Sequence, residues 1–408
     1  MYHRTFHLFV CRPYLCAMTR WENYLSSAER IINGYDGTLP LHHFLKAFFK
    51  QHPQMGSRDR RSVSQLAYAF YRLGHLWKDE MPVKDRILLG LFLCEATPGE
   101  MLAAFRPEWN EQVTLPIGEK LALVSFKGQQ PSPAAIFPFA DELSDGIDTA
   151  AFANSFFVQP RLFLRARKNK QRELSLLFDK AGVIYEWLAD DLVALPNSTK
   201  TETIIPQRDW YEIQDASSQQ TGRLFHPKAG EYWWDSCAAS GGKSLLLMDQ
   251  EPGVKLTVSD IRSSILHNLH ERFETAGIRN YESRMLDLTN PVSPGTFAHG
   301  EFDGIILDAP CSGSGTWGRT PENLYFFDRV KINRFHALQK SIATNVIPLL
   351  KPGGALIYIT CSVFKQENEA VVQQLCKSGS LQQEEGGIIP GYTHGADTMF
   401  AVRLIKKR

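Results

Sequence analysis

Cys311 and Cys361 each stand in a run of small and polar residues that follows a short apolar stretch. The runs are Asp308-Ala-Pro-Cys-Ser-Gly-Ser-Gly315 and Tyr358-Ile-Thr-Cys-Ser362. A thiolate is a strong nucleophile, and a covalent intermediate splits one hard step into easier ones. Filling an apolar core is the ordinary use of a free cysteine and suffices for Cys94 and Cys376. Loops rich in Gly, Ser and Pro are poor places for a core filler. A redox pair or a zinc site is not supported, since the two cysteines are fifty residues apart with no further ligand spacing. No metal is expected.

A third loop reads Asp235-Ser-Cys-Ala-Ala-Ser-Gly-Gly-Lys243. Its small residues let a backbone approach a ligand closely, and the helix that follows presents unpaired N–H groups. It is not a phosphate loop of the G-x-x-x-x-G-K-[ST] type, because Cys237 stands where the first glycine belongs. Asp260 and Asp287 end two further apolar stretches. Each acid alone could cap a following helix. As a set in register they suit a ligand, with Asp260 matched by position to a ribose hydroxyl pair.

The elements that must position these residues are short apolar strands at Tyr232–Asp235, Lys255–Asp260, Glu282–Asp287, Phe302–Asp308 and Ala355–Thr360. Helix-like stretches at 243–250, 261–276, 328–350 and 366–377 separate them. Such alternation predicts an α/β fold with a doubly wound, mostly parallel Rossmann-like sheet. In it, ligands bind beyond the carboxyl ends of the strands. Thr398–Ile405 reads as a final antiparallel strand.

Upstream, residues 151–225 read as a small α+β unit. Leu162 and Leu164 alternate with Arg161 and Arg165 as in a half-buried strand, and Arg161, Arg165, Arg167, Lys168, Lys170 and Arg172 place six positive charges in twelve residues. A solvated face and a nucleic-acid contact are both open readings of that run. Residues 18–150 are a helical N-terminal domain and linker. There Tyr24, Leu25, Ala28, Ile31 and Ile32, and later Leu66, Ala69, Phe70 and Leu73, recur at helical spacing. Ser57-Arg58-Asp59-Arg60-Arg61 opens the second of these helices with charge, as a solvated start or a phosphate contact. Residues 1–17 look like a leader or a mis-assigned start, Met18 preceding the first helical pattern.

The whole chain has 408 residues, 43% hydrophobic and 22% charged, which excludes a largely disordered or collagenous protein. Lys plus Arg number 45 and Asp plus Glu 44, so any basic surface is local. Seven unevenly spaced cysteines do not form a disulfide framework. No apolar run reaches membrane-spanning length. A soluble, cytoplasmic, monomeric protein is expected.

The segments DSCAASGGK, ILDAPCSGSGTWGRTPE and ITCS resemble motifs of the Sun-type (NOL/NOP-like) RNA cytosine-5 methyltransferases, which use S-adenosylmethionine. Gln214-Asp215-Ala-Ser-Ser218-Gln219 is similar to the stretch leading into that family's catalytic domain. The resemblance covers about residues 155–408. The helical N-terminal region is similar in kind to the NusB-like extension of a bacterial, ribosomal-RNA-modifying branch.

The resemblance implies a methyltransferase domain over 226–408 with residues 151–225 contacting RNA. Cys237, Ala238, Ala239, Ser240, Gly241, Gly242 and Lys243 fall on the methionine and ribose end of the cofactor. Asp260 falls on the ribose hydroxyls, Asp287 near the adenine, and Asp308 at the join between cofactor and target base. Cys361 matches the nucleophile and Cys311 the cysteine that helps release product. Arg161, Arg165, Arg167, Lys168, Lys170 and Arg319 are the expected RNA contacts. The expected RNA is ribosomal, with transfer RNA as the alternative. Ser240 replaces a usual Pro, and Ile265 stands where Arg is common, with Arg262 nearby as a substitute.

That chemistry needs a covalent step because carbon 5 of cytosine is a poor nucleophile. Thiolate addition at carbon 6 gives an enamine-like ring whose carbon 5 can attack a methyl sulfonium. A thiol of pKa near 8.5 is only about 3% ionised at pH 7, so the site must favour its thiolate. A helix starting near Gln366 is one expected source of that help. Trp317, Tyr325, Phe326 and Phe327 are expected either to wall the base pocket or to be core.

Overall fold

The computed structural model describes residues 13–377 and 379–408. The chain divides into two compact units. One comprises the residues up to Pro138 with Thr320–Phe326, the other Phe139–Arg319 with Phe327–Arg408. Most of the segment read as a leader or mis-assigned start, residues 1–12, lies outside the described residues. The first helix begins at Pro13, ahead of Met18.

The first unit is helical. Its main helices are Pro13–Gly34, Leu41–Gln51, Ser57–Arg72 and Val83–Cys94. The Leu41–Gln51 helix was not anticipated, so the charged Ser57 turn opens the third helix. Tyr24, Leu25, Ala28, Ile31 and Ile32 are buried, as are Leu66, Ala69, Phe70 and Leu73. Pro40, Gly56 and Pro82 occupy the N-cap positions. The Asp59 carboxylate accepts from Gly56 N at 2.9 Å and from the Tyr24 hydroxyl. That charged turn therefore caps its own helix. Tyr325 and Phe326 belong to this unit and pack edge-on or tilted against Tyr71. Both are half-buried and pack within this helical unit.

The second unit holds two sheets. The smaller is antiparallel, with strands β1 (Leu162–Ala166), β2 (Glu186–Trp187), β3 (Leu192–Leu195) and β4 (Tyr211–Ile213) in the order β2-β3-β1-β4. The helix Gln171–Ala181 packs Leu174 and Phe178 onto Leu164, Val193 and Leu195.

The larger sheet has seven strands: β5 (Tyr232–Asp235), β6 (Lys255–Asp260), β7 (Tyr281–Met285), β8 (Phe302–Asp308), β9 (Leu350–Thr360), β10 (Leu381–Pro390) and β11 (Thr398–Lys406). Their order is β10-β11-β9-β8-β5-β6-β7. β9, β8, β5, β6 and β7 run parallel, and β11 and β10 add antiparallel. Trp234, Leu307 and Tyr358 point to one face, under Ile342, Val346 and Val371. Their neighbours Trp233, Ile306 and Ile357 point to the other, under Leu245, Leu269 and Phe273. Burial on both faces explains why the strands read as nearly continuous apolar runs. This is the doubly wound Rossmann-like sheet that the strand–helix alternation predicts. β7 stops at Met285, so Asp287 lies two residues beyond its strand rather than at its end. The outermost strand, β10, was not anticipated.

Candidate active site

The strand order reverses between β5 and β8, so the loops at their carboxyl ends part and leave a crevice. A cleft of about 530 Å³ lies there. Ser236, Cys237 and Ala239 line it from the loop after β5, Asp260 from β6, Asp308 and Cys311 from β8, and Cys361 from β9. Its size suits a small organic ligand, which typically fills roughly 300–1,000 Å³.

The loop after β5 is shaped for close approach. Ala239 has φ 46° and Gly241 φ 83°. A Cβ at Gly241 would come within 2.6 Å of the Phe273 ring, so glycine is required there on two counts. Ala239 N donates to Asp260 Oδ2 at 3.1 Å. Arg262 donates to Asp260 Oδ1 from its backbone N at 3.0 Å and from Nε at 3.1 Å. Asp260 is thereby fixed at the cleft wall, only 7% exposed. Ser240 accepts from Arg272 Nη1 through both its carbonyl and its hydroxyl, so the departure from proline gains an anchor. Ala238, Ser240, Gly241, Gly242 and Lys243 do not line the cleft; they shape the turn behind Cys237 and Ala239. Burial and the neighbouring carboxylates push the Cys237 thiol up, so it stays neutral.

Lys243 does something else. Its Nζ donates to Asp308 Oδ2 at 3.0 Å and to Ser218 Oγ at 2.9 Å. The ammonium therefore holds the Asp308 carboxylate, a contact that motif spacing did not show. Beneath it, the fully buried Asp235 accepts from Ser244 Oγ and is pushed up to about 7 by burial.

Cys311 Sγ and Cys361 Sγ are 3.3 Å apart. Contact with Cys361 and burial push the Cys311 thiol well up, so Cys311 holds its proton at neutral pH. The two loops interlock. Gly315 N donates to Cys361 O at 2.9 Å, and a Cβ at Gly315 would collide with Thr398 O. The helix expected from Gln366 begins at Glu369. The turn before it carries Glu367, a buried acid that the sequence reading passed over.

Asp287 lines the cleft, but its carboxylate accepts from Thr289 N, Thr289 Oγ1 and Asn290 Nδ2. Those bonds keep it well ionised. Trp317 is buried against Phe327 and Phe364, so Trp317 is core, the second of its two expected roles, while Phe327 is half-buried.

The basic run divides. Arg165 is 2% exposed and bonds Gln214 and Asp249, which corrects its reading as an RNA contact: its charge is consumed inside the fold. Arg167 shares Asp249. Arg319 donates to Asp215 and Asp397 at 2.8 Å each and to Arg161 O at 3.1 Å, a clamp rather than a free cation. Arg161 pairs with Glu186 at 2.7 Å, and Lys170 lies over the Trp210 ring. Lys168 and Arg172 are exposed. Among the described residues no group of His, Cys, Asp or Glu is arranged to hold a metal, and no helix is long and apolar enough to cross a membrane.

Residues 223–386 match the family model of 16S rRNA methyltransferase RsmB/F. Ribosomal RNA small subunit methyltransferase B of Shigella sonnei (strain Ss046) is 30% identical over 272 residues, 61% of this chain and 60% of that protein. The chain thus spans about 60% of the length of such a curated relative. The crystal structure of PH0851 superposes with a TM-score of 0.69 at 19% identity, covering 95% of this chain and 99% of its own. A methyltransferase homolog protein from Pyrococcus horikoshii reaches 0.55 at 22% identity, covering 67% and 94%. At such identities the two structures show a shared fold. Residues 223–386 are thus similar to the RsmB/F methyltransferases, and the fold around them is shared with the two solved structures.

Proposed function

We propose that this protein methylates carbon 5 of a cytosine in ribosomal RNA, with S-adenosylmethionine as methyl donor and a transient bond from Cys361 to carbon 6 of the base. The observation that carries this reading is the pair of sulfurs 3.3 Å apart at the tips of adjacent parallel strands, inside the cleft lined by Asp260 and Asp308. The match of residues 223–386 to the RsmB/F family model and the name of the similar curated proteins support ribosomal RNA as the substrate.

The residues fit the donor. Asp260, fixed by Ala239 and Arg262, suits a ribose diol, and the turn around Ala239 lets a ligand lie against bare backbone. Bound S-adenosylmethionine supplies a methyl group on a sulfonium. Cys361 adds to carbon 6, and the ring's electron pair moves to carbon 5, which takes the methyl group. Asp308, steadied by Lys243, faces the base; its carboxylate accepts a hydrogen bond from N3 once that nitrogen takes up a proton from solvent, so the addition leaves no net negative charge on the ring. A base then removes the carbon 5 proton, the sulfur–carbon bond breaks, and Cys361 leaves as thiolate. Cys311, which keeps its proton beside Cys361, assists that release. The target base must come from a single strand or leave its stack.

The test is methyl transfer from labelled S-adenosylmethionine to small-subunit ribosomal RNA, followed by nucleoside digestion. Label in 5-methylcytidine supports the reading, and label in any other nucleoside contradicts it.

A further inference from the structure

Glu367 is completely buried, yet it lies in neither the cleft lining nor the reaction described above. Its carboxylate binds the residue that follows each cysteine. Oε2 accepts from Ser312 N at 2.9 Å, and Oε1 accepts from Ser362 Oγ at 2.9 Å. Gln339, itself fully buried, donates to Oε2 at 2.9 Å and to Pro310 O at 3.0 Å. Tyr358 on β9 donates its hydroxyl to the Glu367 carbonyl at 2.6 Å. A buried acid is costly unless its oxygens are satisfied, and here every donor comes from the two cysteine loops or from the helix that braces them.

The two loops depend on this acid unequally. Cys361 follows directly on β9, and Ser362 O is also held by Asn368 Nδ2 at 2.9 Å. Cys311 lies three residues beyond β8; the backbone on either side of it, Pro310 O and Ser312 N, is held by Gln339 and Glu367, while the further ties of its loop, Ser312 Oγ to Ser362 Oγ at 3.2 Å and Gly315 N to Cys361 O, lie beyond the thiol.

We propose that Glu367 is a positioning residue that sets the separation of the two thiols, so that losing it uncouples product release from adduct formation. The proposal rests on the roles given above to Cys361 and Cys311. Without Glu367, Cys361 keeps its place and still adds to the base, while Cys311 drifts from the sulfur it must help expel. A misplacement of about 1 Å in such a site costs on the order of 10²-fold in rate.

The experiment compares Glu367→Ala, Glu367→Gln, Gln339→Met and Cys311→Ala in the full chain. Turnover and denaturant-resistant protein–RNA adduct are measured with small-subunit ribosomal RNA and S-adenosylmethionine. Glu367→Ala is expected to lose about 10²-fold in turnover while accumulating adduct. Glu367→Gln, which keeps the shape and one acceptor oxygen, is expected to restore adduct-free turnover. Gln339→Met, a smaller disturbance that serves if Glu367→Ala fails to fold, is expected to leave adduct above the wild-type level. A purely structural role would lower turnover and adduct together. Loss of both in Glu367→Ala, or wild-type adduct in Gln339→Met, while Cys311→Ala still traps RNA, overturns the proposal. Absence of adduct in Cys311→Ala itself would sink the reading of the two thiols, and this proposal with it.

Discussion

Lys243, in the first turn of the helix after β5, meets Asp308, the last residue of the adjacent parallel strand β8, ammonium to carboxylate at 3.0 Å. The contact ties the glycine-rich turn after β5 to the end of β8 at the point where the sheet order reverses. It also explains why a lysine closes the glycine-rich motif in a protein with no phosphate loop. Lys243→Met is expected to leave the Asp308 carboxylate without its partner and to lower kcat by roughly 10–100-fold, the loss of about 1.5–3 kcal/mol for a charge-assisted bond. Steady-state methylation kinetics check this, and an unchanged kcat would remove Asp308 from the chemistry.

Asp260 makes a second prediction. Its buried carboxylate is aimed by Ala239 N and Arg262. Asp260→Ala should raise the KM for S-adenosylmethionine by about 10–100-fold, the worth of hydrogen bonds to a charged acceptor. Calorimetric titration with the donor gives an independent measure.

The basic run gives a third, because its members differ in what they touch. Lys168 is exposed, and Lys170 projects over Trp210. Changing both to Ala should weaken RNA binding and flatten its dependence on salt by about one unit of slope per lost phosphate contact. Arg165→Met should instead cost roughly 1–3 kcal/mol of stability, because Gln214 and Asp249 lose their shared partner. Filter binding across a salt series and denaturant unfolding separate the two effects.

Asp235 predicts a pH dependence. Burial raises its carboxyl from 3.8 to about 7, so the folded protein binds this proton more tightly than the unfolded chain does. The stability linked to it is fully present below about pH 4 and is lost as pH rises through about 7. Asp235→Asn should flatten the fall in unfolding free energy over that window. Denaturant titrations at several pH values read it directly.

The sheet and the cleft were largely legible in the sequence because strands buried on both faces leave short, continuous apolar runs ending in distinctive loops. β10 was not, since Gln382–Glu385 are exposed on an edge strand and carry no apolar signal. Arg165 was misread for a related reason. It occupies a strand position that alternation assigns to solvent, yet that face is covered and supplies Asp249 as partner. Glu367 was invisible because an acid ahead of a helix looks like an ordinary helix start. Only the fold shows that both cysteine loops converge on it.

The most direct test of the whole account is the covalent state of the protein after reaction with small-subunit ribosomal RNA and S-adenosylmethionine, read on a denaturing gel and by intact mass. Cys311→Ala should carry RNA bonded through Cys361, and the double variant with Cys361→Ser should carry none. Free protein in the Cys311→Ala reaction, with methylation proceeding normally, would contradict the assignment of the two sulfurs.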